Sequence, residues 1–318
     1  MNFFDLHCDT ITECCKHSFS LRENPLHLDL NRGSVFDAWA QVYAIWIPDS
    51  LRGGDAWDCY QKNLAYFRSQ VEQFRLHFCT NEKQADAIPT SPSPTALLAV
   101  EGGAVLSGEA EKLELLYADG VRVLTLTWNG ENELGFGCQS AGGHLKPFGR
   151  QVLRRMETLR MIPDVSHLDR IGFYDVLELT GKPVLASHST SLSVLRETRN
   201  ESLDKSFSIR RALDDEQIRA LALHGGLIGL NFCGSFLGDP GRDGMQAALR
   251  HALHILEIGG TEILAIGSDF DGCTINPEMA GIETMPRLYD YFLNNGLDRE
   301  TCEKIFFNNA WQFMKSVL

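Results

Sequence analysis

Eight short apolar runs alternate with longer stretches of helical periodicity along this chain, and few folds accommodate that pattern. The runs are Phe3–Asp9, Val35–Ile47, Thr95–Glu101, Val121–Trp128, Met161–His167, Pro183–His188, Gly226–Phe232 and Glu262–Asp269. The strand within the second centres on Ala38–Ile45. Between the runs, Trp57–His77 keeps Tyr60, Leu64, Phe67, Val71 and Phe74 on one side at helical spacing. Phe148–Leu159, Leu168–Thr180, Asp214–His224 and Gly244–Ile258 read the same way, and two helices near Ile282–Asn294 and Asp298–Val317 close the chain. Alternation of this kind predicts βα units around a parallel sheet. Eight strands in one series, without linker or repeat, predict an α/β fold: a single (β/α)8 TIM barrel over residues 1–318. An open doubly wound sheet is the competing architecture. No G-x-G-x-x-G follows a strand, so its dinucleotide-binding version has no support.

A barrel strand is apolar along its length, so the informative residues are polar ones at the carboxyl ends, where barrel active sites are built. In order these are His7 and Asp9, Glu101, Trp128 and Asn129, His167, His188 and Asp269. His7 and Asp9 lie two apart and point to one side of an extended segment, presenting a nitrogen and an oxygen suited to a divalent metal such as zinc. Each residue has a bland explanation. His167 could cap the following helix, Asp269 and Asp271 could make Asx turns, and Glu101 is costly to bury unless something cationic meets it. Together the bland explanations multiply, whereas one rim explains all of them. Three imidazoles and two carboxylates suffice for two metals if one carboxylate bridges, and Glu101, alone on its strand, is the candidate. Asp269 could then move the proton of an activated water to a leaving amine.

Composition removes several classes. A net charge of −13 and the lack of basic runs argue against nucleic-acid partners. No apolar run approaches membrane-spanning length. Nine cysteines without C-x-x-C spacing fit reduced thiols better than a disulfide framework. Met1 is followed almost at once by the first strand, without a basic or long apolar leader, so the expected compartment is the cytoplasm.

An ordered series of motifs spans nearly the whole length: Asp-Leu-His-Cys-Asp, Val-Glu-Gly-Gly, Leu-Thr-Leu-Thr, Asp-Val-Ser-His, Ser-His-Ser, Gly-Leu-Ile-Gly-Leu-Asn-Phe and Gly-Ser-Asp-Phe-Asp-Gly. In these the chain resembles the membrane (renal) dipeptidase family of zinc dipeptidases, in particular its soluble bacterial members. The resemblance implies an amidohydrolase-type barrel with two Zn2+ ions, or other divalent metals. His7 and Asp9 would bind the first ion, His167 and His188 the second, and Glu101 would bridge. Asp269 would match the last-strand acid. The implied reaction is hydrolysis of dipeptides, including those with a C-terminal D-residue, and a homodimer is left open.

Three departures bear on substrate. Trp128 stands where many relatives have a histidine for the scissile carbonyl, and tryptophan offers one N–H and no charge. The arginine for the substrate carboxylate has two placements, Arg199, followed by Asn200, or Arg211, with Arg199 favoured by its spacing from His188. Cys233 stands where an aromatic is common. Two other functions stay open: an amidohydrolase-type hydrolase of amides or lactones at the same metals, and a metal-retaining binding protein without turnover.

Overall fold

The computed structural model describes residues 1–198, 205–238 and 243–318. Eight strands form a closed parallel barrel: β1 (Phe3–Cys8), β2 (Trp39–Trp46), β3 (Thr95–Glu101), β4 (Val121–Thr125), β5 (Ile162–Asp164), β6 (Leu185–Ser189), β7 (Leu227–Leu230) and β8 (Leu264–Ile266). Each pairs with the next, and β8 pairs with β1 through Ile266 and Asp5.

The strands are buried on both faces. Inward residues such as Phe4, Leu6, Val42, Leu97 and Val123 form one cluster with Phe307, Phe313 and Met314 of the C-terminal helical segment, which plugs one end of the barrel. Outward residues such as Tyr43, Ile45, Leu98 and Val100 pack with Tyr60, Leu64 and Phe67 of the helix Gly53–Phe74. Burying each of these side chains stabilises the fold by about 1.5–3 kcal/mol.

Local chemistry explains where elements stop. The first long helix ends at Phe74 because Arg75 turns left-handed, at φ 51°. His77, expected inside that helix, instead starts a two-residue strand with Phe78 on the edge of β3. The second run opens on Val35, the last residue of a 3-10 turn over Arg32–Val35, and its strand begins at Trp39. The fifth run keeps only three strand residues, because Ser166 N–H turns back onto the Asp164 carboxylate and His167 takes φ 66°. Ser191 caps the helix Leu192–Glu197, and Asp214 with Gln217 forms a capping box on Asp215–Leu223.

Candidate active site

Period two carries the inward face of β3 from Leu97 and Ala99 to Glu101, at the carboxyl end of the barrel. Gly102 follows at φ 114°, where a side chain would be strained and its Cβ would press within 3.0 Å of the Ile47 carbonyl. The chain can therefore leave the sheet immediately, with Glu101 as the last strand residue. Parallel register sets Trp46, the end of β2, beside it.

Around Glu101 the structure gathers His7, Asp9, His167 and His188, all less than one-tenth exposed. Glu101 Oε1 lies 2.8 Å from His167 Nε2 and 3.5 Å from His188 Nε2, while Oε2 lies 3.6 Å from His7 Nε2. Asp9 Oδ2 is 3.7 Å from His7 Nε2. Two tetrahedral ligands about 2.1 Å from a shared zinc ion lie about 3.4 Å apart, close to most of these spacings.

The hydrogen-bond network assigns the tautomers. His167 Nδ1 donates to Asn129 Oδ1 at 2.7 Å. Ser187 spends its hydroxyl proton on Asp164 at 2.6 Å, so it accepts from His188 Nδ1 at 2.7 Å. Both Nε2 atoms are then bare lone pairs, yet they lie 2.9 Å apart and face the same carboxylate oxygen. His7 Nε2 and Asp9 Oδ1 are buried without hydrogen-bond partners. Clustered lone pairs repel in a low-dielectric interior, and a divalent cation among them reverses the sign. His7, Glu101 and His188 form one group able to hold an ion, and His7, Asp9 and Asp269 form another. The donor set fits a metal.

Electrostatics agree. Burial pushes His167 down to about 4, with Arg211 adding to it. Burial also drives His188 well below the usual imidazole range. For Glu101 burial acts upward, but the His7 charge and neighbouring imidazoles outweigh it and keep the carboxyl well below its usual range. Burial lowers His7 in turn, and the charges of Glu101 and Asp9 more than reverse that. Asp269 is raised to about 7, first by burial and then by the nearby carboxylates.

Asp269, Trp128 and Asn129 line one cavity of about 300 Å³ together with Asp9, Glu101 and His167. Asp269 sits there at φ 61°, with Asn231 Nδ2 donating to its Oδ2 at 3.0 Å. Trp128 lines the wall, edge-on to Trp46 at 5.0 Å. Asn129 also lines it while its amide oxygen holds His167. Arg211 is buried behind, its Nη2 donating to the His188 carbonyl at 2.8 Å. Arg199 lies outside the described residues. Cys8 faces the outer layer rather than the site. The helix after His167 is capped by Asp169, not by the histidine.

Trp46, Phe207, Phe236 and Cys273 also line the cavity, and the sequence reading did not single them out. Trp46 had a usable signal, since it ends a strand on the active rim. The other three sit on loops and short helices, whose approach to the site no spacing reveals.

Residues 1–318 match the family described as membrane dipeptidase (peptidase family M19). An uncharacterised protein from the pqqA 5′ region of Klebsiella pneumoniae is 28% identical over 277 residues, covering 83% of this chain and 98% of its own. Two solved structures share the fold. One, a dipeptidase of family M19, is 23% identical with a TM-score of 0.89 over 100% of this chain and 98% of its own. The other, a metallopeptidase from Rhodobacter sphaeroides liganded with a phosphinate mimic of the dipeptide L-Ala-D-Ala, is 22% identical with a TM-score of 0.89 over 100% and 99%. With the family model matching residues 1–318, this chain belongs to the membrane dipeptidase family, peptidase family M19, and is a metal-dependent dipeptidase.

Proposed function

We propose that the chain hydrolyses dipeptides with two divalent ions, zinc foremost, and accepts a D-residue at the C-terminal position. The observation that carries this is the division of one carboxylate: Glu101 turns Oε1 to His167 and His188 and Oε2 to His7. In this reading His7 and Asp9 hold one ion, His167 and His188 hold the other, and Glu101 joins them. Two ions in that position would polarise the scissile carbonyl and acidify a water.

The chain's own groups would do the rest. Asp269, raised toward neutrality and steadied by Asn231, would accept a proton and return it to the leaving amine. Arg211 would receive the substrate carboxylate. Its Nε is buried without a partner and its guanidinium lies 5.7 Å from the Phe236 ring centre, leaving a donor in reserve. Arg199 is the competing placement. Trp128 and Trp46 would form an apolar wall for a substrate side chain, and Asn129 would fix the His167 ring. The R. sphaeroides structure was solved with a mimic of L-Ala-D-Ala, which supports trying that stereochemistry first. No helix among the described residues is long and apolar enough to cross a membrane. All nine cysteines are free, which supports a reducing, cytoplasmic setting.

Glu101→Gln tests the bridge. The variant should keep its far-ultraviolet circular dichroism, bind fewer than two ions by elemental analysis, and lose at least about a hundredfold in L-Ala-D-Ala hydrolysis. Two ions retained with a full rate would refute the assignment.

A further inference from the structure

The amide of Asn129 is occupied at one end only. His167 Nδ1 donates to its Oδ1 at 2.7 Å, and the Cys138 thiol approaches the same oxygen at 3.5 Å. Two donors on that oxygen set the orientation of the amide and turn Nδ2, with its two N–H bonds, the other way. Among the described residues, Nδ2 donates to no protein group. Yet the side chain is only 8% exposed and lines the cavity beside Glu101 and His167. An uncommitted donor in a buried site is costly unless a ligand or a water meets it.

The backbone that carries this amide is held on every side. The Asn129 carbonyl accepts from Gln139 N–H at 2.8 Å, and the Gly130 carbonyl accepts from Gly137 N–H at 2.9 Å. Gly130 N–H donates to Asp49 Oδ2 at 2.7 Å. Gly137 lies so close that a Cβ there would fall 2.2 Å from the Trp128 carbonyl oxygen and 2.5 Å from that of Asn129. A donor fixed in this way suits a charge that appears only during a reaction, because nothing has to reorganise to meet it. No lysine or arginine among the described residues lines this cavity, and Thr12 commits its hydroxyl to the Ala44 carbonyl. The Trp128 indole brings one further N–H, on a ring packed edge-on to Trp46.

We propose that Asn129 is a catalytic residue, its Nδ2 donating to the scissile carbonyl oxygen as that oxygen turns negative. The role rests on the dipeptidase reading. A water oxygen bonds to the carbonyl carbon, one water proton passes to Asp269, and the π pair of the C=O bond moves onto oxygen, where Nδ2 meets it. When the pair returns, the C–N bond breaks and the amine nitrogen takes the proton from Asp269. One water is consumed for one acid and one amine. Oδ1 of Asn129 holds His167, and Nδ2 serves the transition state.

Asn129→Asp separates the two ends. Aspartate keeps an acceptor for His167 Nδ1, and a carboxylate is a usual partner of a metal-ligating imidazole, so a purely orienting Asn129 would tolerate the exchange. Aspartate has no N–H to give. Asn129→Ala removes the donor without adding charge. Parent and variants are brought to equal zinc content by elemental analysis, compared by circular dichroism, and assayed on L-Ala-L-Ala and L-Ala-D-Ala. The expected result for both variants is a kcat lower by about 10²–10³-fold with KM changed by less than about threefold. A phosphinate mimic of L-Ala-D-Ala should bind more weakly by the factor lost in kcat/KM. A kcat within about threefold of the parent in either variant, at equal zinc, overturns the role. So does a mimic affinity that stays unchanged while kcat falls, since the loss would then lie outside the tetrahedral state. A parent that cleaves neither dipeptide refutes the dipeptidase reading itself.

Discussion

Asp164 never reaches the cavity, yet it decides which nitrogen of His188 faces inward. Its carboxylate accepts from the backbone N–H of Ser166 and Ser187, both at 2.9 Å, and from the hydroxyls of Thr125 and Ser187, both at 2.6 Å. With its proton committed, Ser187 can only accept from His188, which bares Nε2 to the site. Asp5 holds the Ser268 hydroxyl and backbone in a similar way beside His7. An amide at position 164 can donate as well as accept, which frees the Ser187 proton to turn toward His188. Asp164→Asn should weaken zinc binding by about 10–100-fold while the fold persists, measured by competition with a chromophoric chelator. Unchanged affinity would remove Asp164 from this role. Trp128→His is the complementary change at the wall, replacing a lone uncharged donor with an imidazole. A rise in dipeptide turnover is expected, and a fall would mean that the indole itself serves the substrate.

At the scale of elements, the helix Arg170–Leu179 starts at Asp169, whose carboxylate accepts from the N–H groups of Ile171 and Gly172, both at 3.1 Å. The same side chain takes Gly143 N–H at 3.2 Å and so pins the long loop after β4. Asp169→Ala should cost about 1–2 kcal/mol in denaturant unfolding and loosen that loop to hydrogen exchange. Strand and helix order was legible in the sequence, because burial on both faces leaves apolar runs that survive reading without coordinates. The short strand His77–Phe78 was not, because its neighbours set it, not its own pattern. His7, Glu101, His167 and His188 were legible because a polar residue ending an apolar strand is conspicuous. Phe207, Phe236 and Cys273 were illegible for the converse reason: apolar or small residues on short helices and loops look like packing until tertiary structure turns them inward. Arg211 was one of two candidates, and its burial against the His188 carbonyl is a tertiary fact that spacing could not supply.

For the molecule as a whole, acid sensitivity should include a share from one buried histidine outside the proposed ligand set. His251 on the helix Gly244–Gly259 is fully buried, accepts Ser191 N–H at Nδ1 at 3.0 Å, and donates from Nε2 to the Leu237 carbonyl at 3.3 Å. Burial pushes it down to about 3, against an ordinary value of about 6.5 in the unfolded chain. Between those values the unfolded state binds the extra proton, so stability is lost as pH falls through this window, by up to about 1.4 kcal/mol per unit. His251→Gln should reduce the difference in urea midpoint between pH 7 and pH 5, and an undiminished difference would assign the acid sensitivity to other groups, the lowered His167 and His188 among them. Metal should also act globally, since an ion bound only by the folded chain raises its melting temperature. Chelation should lower the midpoint by several degrees in a thermal scan, reversibly on adding zinc.

A donor set of imidazoles and carboxylates is chemically unselective. Affinities of such ligands for first-row divalent ions climb to copper and fall back at zinc whatever the protein requires. The ion recovered with this chain will therefore reflect what was plentiful when it folded. Nickel-affinity purification or copper-rich medium should yield mismetallated enzyme, and two preparations with different rates can differ in metal supply alone.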